Sequence, residues 1–505
     1  MFAKAVGETT HGIDGVAVRV EVDVTNGLPG FDLVGLPALS VRESRERVRS
    51  ALKNSGFSFP MSRITVNLAP ADLKKDGSSL DLPIALGILT STRVLEQEML
   101  QGKVFVGELS LDGNIQRVSG VLSMIIDAKR CGYQEIFIPT GNAAEGKLIK
   151  GIKVHTPENI NQIVEHLQRK KFLDELRKEN ILQNTRCYKE DFADVKGQLV
   201  ARRALEIAAS GGHSVLMVGS PGCGKTMLAR RMATILPPLT EAEALEVTKI
   251  YSVAGLLPQG ESLMLERPFR SPHHGISASA LLGGGSVPRP GEVTLSHHGV
   301  LFLDELPEFE RNTLEMLRQP LEDGEVNISR VRAALTYPSK FYLVAAQNPC
   351  PCGYLGDRKH KCTCRSKDID NYRRKISGPL MDRIDIQINL ARVEFEDLKA
   401  AAPVETSAVI RERVVRARSI QLARLETLGI FCNAGMGRRE VERYCRLGEK
   451  EQALLEKYFA VLNLSVRSHD RILKVARTIA DLDGSEDIAV EHLAEAIQLR
   501  TSVNG

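Results

Sequence analysis

His213–Thr226 reads HSVLMVGSPGCGKT. The apolar run Val215 to Val218 leads directly into Gly219, Ser220, Pro221, Gly222, Cys223, Gly224, Lys225 and Thr226. This is the G-x-x-x-x-G-K-[ST] pattern in the order strand, glycine-rich loop, helix start, the context in which a backbone cradles a polyphosphate. Glycines let successive N–H groups turn inward. Lys225 is placed to reach the β- and γ-phosphates and Thr226 to offer its hydroxyl to Mg2+, so ATP and Mg2+ are the expected cofactors. A helix starting near Lys225 adds the positive end of its dipole.

Downstream of this loop, Gly299–Glu305 (GVLFLDE) supplies the second nucleotide element. Four apolar residues in a row suit a strand buried on both faces of a parallel sheet. Asp304 at its end would hold Mg2+, directly or through water, and Glu305 would polarise an attacking water. Phe341–Asn348 (FYLVAAQN) reads as a third buried strand, and its terminal Asn348 sits where a sensor of the γ-phosphate is expected. Arg383, in SGPLMDRID, is either a helix-end charge or an arginine finger donated to a neighbouring subunit's ATP. Arg467, at the start of a helix after Ser465, is the candidate second sensor, with Arg471 one turn on as the alternative.

Two segments between these elements point away from the nucleotide. Leu281–Glu292 (LLGGGSVPRPGE) is rich in glycine and proline, and Gly283, Gly284 and Gly285 would allow close backbone approach to a ligand. Asp323–Tyr337 (DGEVNISRVRAALTY) alternates and opens on an Asp-Gly turn signal, so a β-hairpin is expected. Arg330 and Arg332 are spaced to share one of its faces.

Cys350, Cys352, Cys362 and Cys364 form two C-x-C pairs. Four thiolates on a short polar loop match a four-cysteine zinc site, with reduced free thiols as the alternative and His360 as a possible replacement ligand. From 391 to 505 the pattern is helical, with five arginines (Arg411, Arg413, Arg416, Arg418, Arg424) among apolar residues at three- and four-residue spacing.

Upstream, residues 1–165 read as an α/β region. Val16–Val24 alternates as a half-exposed strand, Ile64–Leu68 and Val104–Glu108 are further strands, and Ser40–Gly56, Leu80–Leu89 and Ser119–Gly132 are helices. Residues 166–190 are charge-dense and read as a linker or solvated helix. The sections that follow are 191–390, the nucleotide core, and 391–505, a small helical domain expected to close over it.

The chain has 505 residues, 43% hydrophobic and 26% charged, which calls for several soluble domains. A net charge of +4 is compatible with nucleic acid but does not argue for it. No apolar run approaches a membrane span and the N-terminus lacks a signal-peptide core, so a cytoplasmic protein with no membrane partner is expected. Nine cysteines, four of them clustered, fit a reducing compartment better than a disulfide framework.

Lys74–Leu89 (KKDGSSLDLPIALGIL) and Val106–Pro139 resemble the proteolytic domain of Lon-type proteases, of the ribosomal S5 domain 2-like fold. The resemblance places Ser79 at the nucleophile position of a Ser–Lys dyad. Leu122 stands where the lysine belongs, and Asp81 replaces a small residue. An isobutyl group accepts no proton, so the resemblance implies a pseudo-protease; Lys129 is out of helical phase to substitute. The nucleotide elements in their order resemble AAA+ ATPases of the magnesium-chelatase and MCM-like branch. With Ser271–Phe309 and Asn348–Asp357 (NPCPCGYLGD) they resemble, over essentially the whole chain, the ComM/YifB family. That resemblance implies a hexameric ring with Arg383 completing a neighbour's site. It also implies an insert at Gly283–Gly285 facing a central pore, and helicase activity on single-stranded and branched DNA during natural transformation. The rivals are a chelatase-like or chaperone-like ATPase that remodels protein, and an active ATP-dependent protease.

Overall fold

Alternate valines decide the first sheet. In the strand Asp14–Thr25, Val18, Val20 and Val22 point to one face and are fully buried. In the computed structural model this strand pairs antiparallel with Phe2–His11 along its whole length, from Phe2 opposite Asp23 to His11 opposite Asp14. On its other side it pairs with Arg63–Ala69, and Gly30–Val34 adds a parallel edge. The model describes all residues except 76, 179–189, 259, 286–287, 331–332, 358, 393–403, 463–464 and 502–505.

The helix Asp81–Ser91 is buried at every position and lies under this sheet, beside the amphipathic helix Ser44–Asn54. A three-stranded parallel sheet, Lys103–Phe105, Glu135–Phe137 and Lys153–His155, follows. The charged segment expected as a linker starts as packed chain without helix: Leu176 N–H donates to Val154 O at 2.8 Å. Its later part, 179–189, lies outside the described residues.

The second unit is a five-stranded sheet in the order Phe269–Arg270, Val300–Leu303, Tyr342–Gln347, Val215–Gly219, Ile386–Leu390, parallel throughout. Period two sends Val215, Met217, Phe302 and Val344 into one apolar cluster, and Leu216, Leu301, Leu303 and Leu343 into another on the opposite face. That double burial is why these strands read as unbroken apolar runs. The first face is covered by Leu199–Gly211 and Lys225–Ile235. The C-terminal helices Ser407–Leu425, Val466–Asp483 and Val490–Thr501 belong to the same cluster. The N-terminal region docks on the helix Glu241–Ala254 through apolar contacts of Val121, Leu122 and Ile125, and Gly120 N–H donates to Ser252 O at 3.0 Å. No helix among the described residues is long and apolar enough to cross a membrane.

Candidate functional site

The phosphate loop lies between the central strand Val215–Gly219 and the helix beginning at Lys225. Gly222 and Gly224 take φ of 79° and 93°, a left-handed backbone that side chains resist, and this is what turns the chain back on itself. Lys225 Nζ donates to Gly219 O at 2.6 Å, Ser220 O at 3.1 Å and Asn348 Oδ1 at 3.1 Å. Asn348 follows the adjacent parallel strand, so the sheet order itself brings these two residues together. Thr226 Oγ1 donates to Asp304 Oδ2 at 2.9 Å. A hydroxyl and a carboxylate side by side are hard oxygen donors of the kind Mg2+ takes.

Glu305 has φ of 52°, uncommon for a residue with a side chain. Its N–H is tied to Asp304 Oδ1 at 3.0 Å, and its half-exposed carboxylate faces His274 Nδ1 at 3.4 Å. Backbone strain of this sort persists where the surroundings fix it and gathers at reactive positions. His274, its ring tilted against that of His273 at a centroid distance of 4.0 Å, carries no spacing signal, and sequence reasoning does not single it out.

The arginines separate into different environments. Arg383 is 6% exposed; it pairs with Glu322 and donates to Pro379 O at 2.8 Å, so within one chain it is engaged rather than free. Arg467 is exposed in the first turn of Val466–Asp483, and its charge also acts on Glu322, which Arg383 and then Arg467 hold below the ordinary carboxylate range. Arg471, the alternative second sensor, is committed elsewhere: it pairs with the buried Asp385. Burial opposes the charge on Asp385, but Arg471 and His213 keep it well below the usual range. Ser214 N–H donates to the same carboxylate at 3.1 Å, which ties the C-terminal helix to the base of the phosphate-loop strand.

The glycine insert forms a small antiparallel pair, Gly283–Gly284 with Arg289–Pro290. The expected hairpin is present as Glu325–Arg330 and Ala333–Pro338. Its predicted Asp-Gly turn is instead a helix end: Asp323 closes Arg318–Asp323 and Gly324 caps it at φ of 68°. Arg330 ends the first hairpin strand; Arg332 lies outside the described residues. Insert and hairpin touch, with Tyr337 Oη donating to Pro288 O at 3.2 Å.

The four clustered cysteines converge. Sγ of Cys350 lies 3.4 Å from Cys352 and 3.7 Å from Cys362, and Cys352 lies 3.6 Å from Cys362. Cys364 accepts the N–H of Cys352 at 3.4 Å. Backbone N–H groups of Tyr354 and Thr363 hold the Cys352 thiol down to about 6. At Cys364 the Cys352 N–H pulls the same way, yet desolvation and the neighbouring sulfurs outweigh it and push that thiol up to about 12. His360 lies tilted against the Tyr354 ring and is not among the converging ligands.

Two other groups, Glu246–His297–His298 and Glu135–His155–His166, also converge. Hydrogen bonds assign their protons. His297 Nδ1 accepts the Lys340 N–H at 3.0 Å, and His166 Nδ1 accepts the Leu173 N–H at 2.9 Å. Each of these neutral rings therefore carries its proton on Nε2, and on His297 that is the atom turned into the group, where a metal needs a lone pair. His297 and His298 instead bond to Glu246 Oε2 at 3.1 and 2.9 Å, holding that carboxylate below its ordinary range and bracing the turn before Val300–Leu303.

In the N-terminal region Ser79 is 4% exposed and donates to Glu8 O at 2.9 Å. Leu122 is fully buried, and Lys129 lies near Gly151. Asp81 is structural, its buried carboxylate accepting Arg47 at 2.6 and 3.0 Å. Ser79, Lys74, Arg117 and Arg289 line a cleft of about 1090 Å³ between this region and the glycine insert.

Three family models match the chain: a magnesium chelatase ChlI subunit model over residues 191–398, a ChlI model over 20–142 and a ChlI C-terminal model over 404–500. The competence protein ComM of Haemophilus influenzae is 43% identical over 509 residues, 99% of this chain and 98% of the relative. The uncharacterized protein YifB of Salmonella typhimurium is 42% identical over 490 residues, 97% of this chain and 95% of the relative. A magnesium-chelatase 38 kDa subunit of Rhodobacter capsulatus is 26% identical over 177 residues, 31% of this chain and 50% of that subunit.

Proposed function

Because the chain belongs to the ComM/YifB family of magnesium chelatase-like AAA+ ATPases, we propose that it is a ring-forming ATPase that moves along DNA as a branch-migration helicase, in the competence setting named by its Haemophilus relative. The observation that carries the ATPase reading is the closure of Lys225 on Asn348 and of Thr226 on Asp304 around one glycine loop. Bound there, Mg2+ would neutralise developing phosphate charge, held by Thr226 and Asp304. Lys225 binds the terminal phosphates. Glu305 orients and polarises the attacking water, and Asn348 registers the γ-phosphate. Arg383 serves the neighbouring subunit's site after leaving Glu322, and Arg467 completes the charge around the phosphates.

The DNA reading is supported by the hydrogen bond that joins the glycine insert to the hairpin, from Tyr337 to Pro288 O. Their binding groups are Gly283, Gly284, Gly285, Arg330 and Arg332. The cysteine group adds zinc as a second metal, a staple for a loop without apolar packing of its own. The N-terminal region is read as Lon-like and proteolytically silent, since Ser79 is spent on a carbonyl and Leu122 offers no base. The C-terminal helices act as the lid.

The test is ATP hydrolysis with and without single-stranded and four-way DNA, alongside unwinding of the same substrates. Stimulation and unwinding are expected. Hydrolysis indifferent to DNA would favour the protein-remodelling alternative suggested by the chelatase likeness, and casein digestion would restore the protease.

A further inference from the structure

The cysteine loop is built directly against the phosphate loop. Asn348, which holds Lys225, stands two residues before Cys350. Gly353 has φ of +85°, and a Cβ there would lie 2.7 Å from Cδ and 2.8 Å from Cγ of Pro221. Only a glycine lets the Pro221 ring lie so close to the loop's backbone. A few residues on, the Asp357 carboxylate accepts the N–H groups of Lys359 and His360 at 2.8 and 3.0 Å, and these, with the nearby Ser220 hydroxyl, hold it below the ordinary carboxylate range. The loop therefore packs on Pro221 and comes up to Ser220, both between Gly219 and Gly224.

No buried apolar side chain of the loop holds it in that position. Among the described residues from 351 to 365 no hydrophobic side chain is buried; Cys350, at the root, is. What converges instead is sulfur. Separations of 3.4, 3.6 and 3.7 Å are far too long for a disulfide at about 2.05 Å. They approach the edge of about 3.8 Å that a tetrahedron with Zn–S of about 2.3 Å requires. The N–H of Cys352 aimed at Cys364 Sγ is the outer-shell bond that orients a metal-bound thiolate.

We propose that one zinc ion, bound by Cys350, Cys352, Cys362 and Cys364, presses Gly353 and Asp357 onto the phosphate loop, so that metal occupancy controls affinity for Mg-ATP. This rests on the zinc reading above and adds a consequence to it. With zinc bound, Pro221 and Ser220 have a rigid wall, and the loop is organised before nucleotide arrives. Without zinc, that ordering must be supplied at the moment of binding, and affinity falls.

The experiment uses the full chain purified without chelator. Elemental analysis should find about one zinc per chain. Stripping the metal should raise the Kd for a fluorescent ATP analogue with Mg2+ about tenfold or more, and adding zinc back should restore it. Cys362→Ser combined with Cys364→Ser should reproduce the stripped state. Gly353→Ala should keep its zinc yet bind the analogue more weakly, because the new methyl group meets Pro221; this variant carries the test if the cysteine variant fails to fold. Zinc-free wild type with unchanged Kd, or Gly353→Ala with wild-type Kd, overturns the coupling and leaves the metal site standing. Wild type that takes up no zinc overturns the metal reading itself.

Discussion

The ammonium of Lys225 donates to the carboxamide oxygen of Asn348 at 3.1 Å, across 123 residues of sequence. Two adjacent parallel strands end at the same level, and each delivers one member of the pair. The other partners of Lys225 belong to its own loop: the carbonyls of Gly219 and Ser220 and the Cys223 sulfur. Lys225→Ala removes the cation that meets the terminal phosphates, and ATP hydrolysis should fall by about two orders of magnitude or more. Asn348→Ala removes only the sensor and should lower kcat more than it raises KM. Steady-state ATPase assays separate the two; equal KM effects from both variants would count against the sensor role.

Glu305→Gln should bind ATP as the wild type does and turn it over about 10²- to 10⁴-fold more slowly, the range expected when a positioned general base is lost. The amide keeps the shape that φ of 52° imposes but accepts no proton. Nucleotide binding by filtration and hydrolysis by phosphate release should diverge in this variant. Wild-type hydrolysis would remove Glu305 from the reaction.

What was legible in the sequence was whatever depended on local pattern. Val215–Gly219 and Val300–Leu303 are buried on both faces, so their apolar runs and the loops they carry stood out. The strand Phe2–His11 did not: FAKAVGETTH owes its strand to pairing with Asp14–Thr25, and its buried side chains are the small Ala3 and Ala5 with the polar Thr9 on one face and the polar Glu8 on the other. The cysteine spacing announced a metal group, but its seat on Pro221 is a tertiary contact. The fates of the arginines were equally hidden. Arg471 belongs to Asp385 and Arg383 to Glu322, and neither partner lies within reach along the chain.

Glu8 gives a pH dependence with a defined sign. It is fully buried, neither carboxyl oxygen has a hydrogen-bond partner, and its pKa is pushed up to about 9. Burial is the main cause and Asp127 adds to it, with Arg130 opposing. In the unfolded chain the same group titrates near 4.5. Between those values the folded state keeps a proton that the unfolded state has released, so stability falls as pH rises. The contribution is fully present below the unfolded value and is lost as pH climbs through the folded one. Within that window one group changes stability by about 1.4 kcal/mol per pH unit. Glu8→Gln has nothing to ionise, so its melting temperature should fall less steeply than wild type from pH 5 to pH 8.5. Parallel curves would show that Glu8 is solvated or paired in solution.

The last prediction concerns DNA. Arg330 stands at the end of a hairpin strand whose partner begins at Ala333, which puts Arg330 beside the hairpin tip, with Arg332 two residues on in sequence. Guanidinium groups at a tip contact phosphates and carry no sequence information by themselves. Binding should therefore tolerate any sequence and weaken steeply with salt, because each neutralised phosphate releases condensed counterions. Replacing both arginines by alanine should remove about two phosphate contacts, lowering the slope of log K against log salt by about 1.4 on single strands. Unwinding should fail while basal ATP hydrolysis persists, since the hairpin is separate from Lys225 and Glu305. Fluorescence anisotropy at several salt concentrations reads the slope. A double variant that binds with the wild-type slope and unwinds normally would move the DNA path to another basic surface, such as that around the exposed Arg416 of the helix Ser407–Leu425.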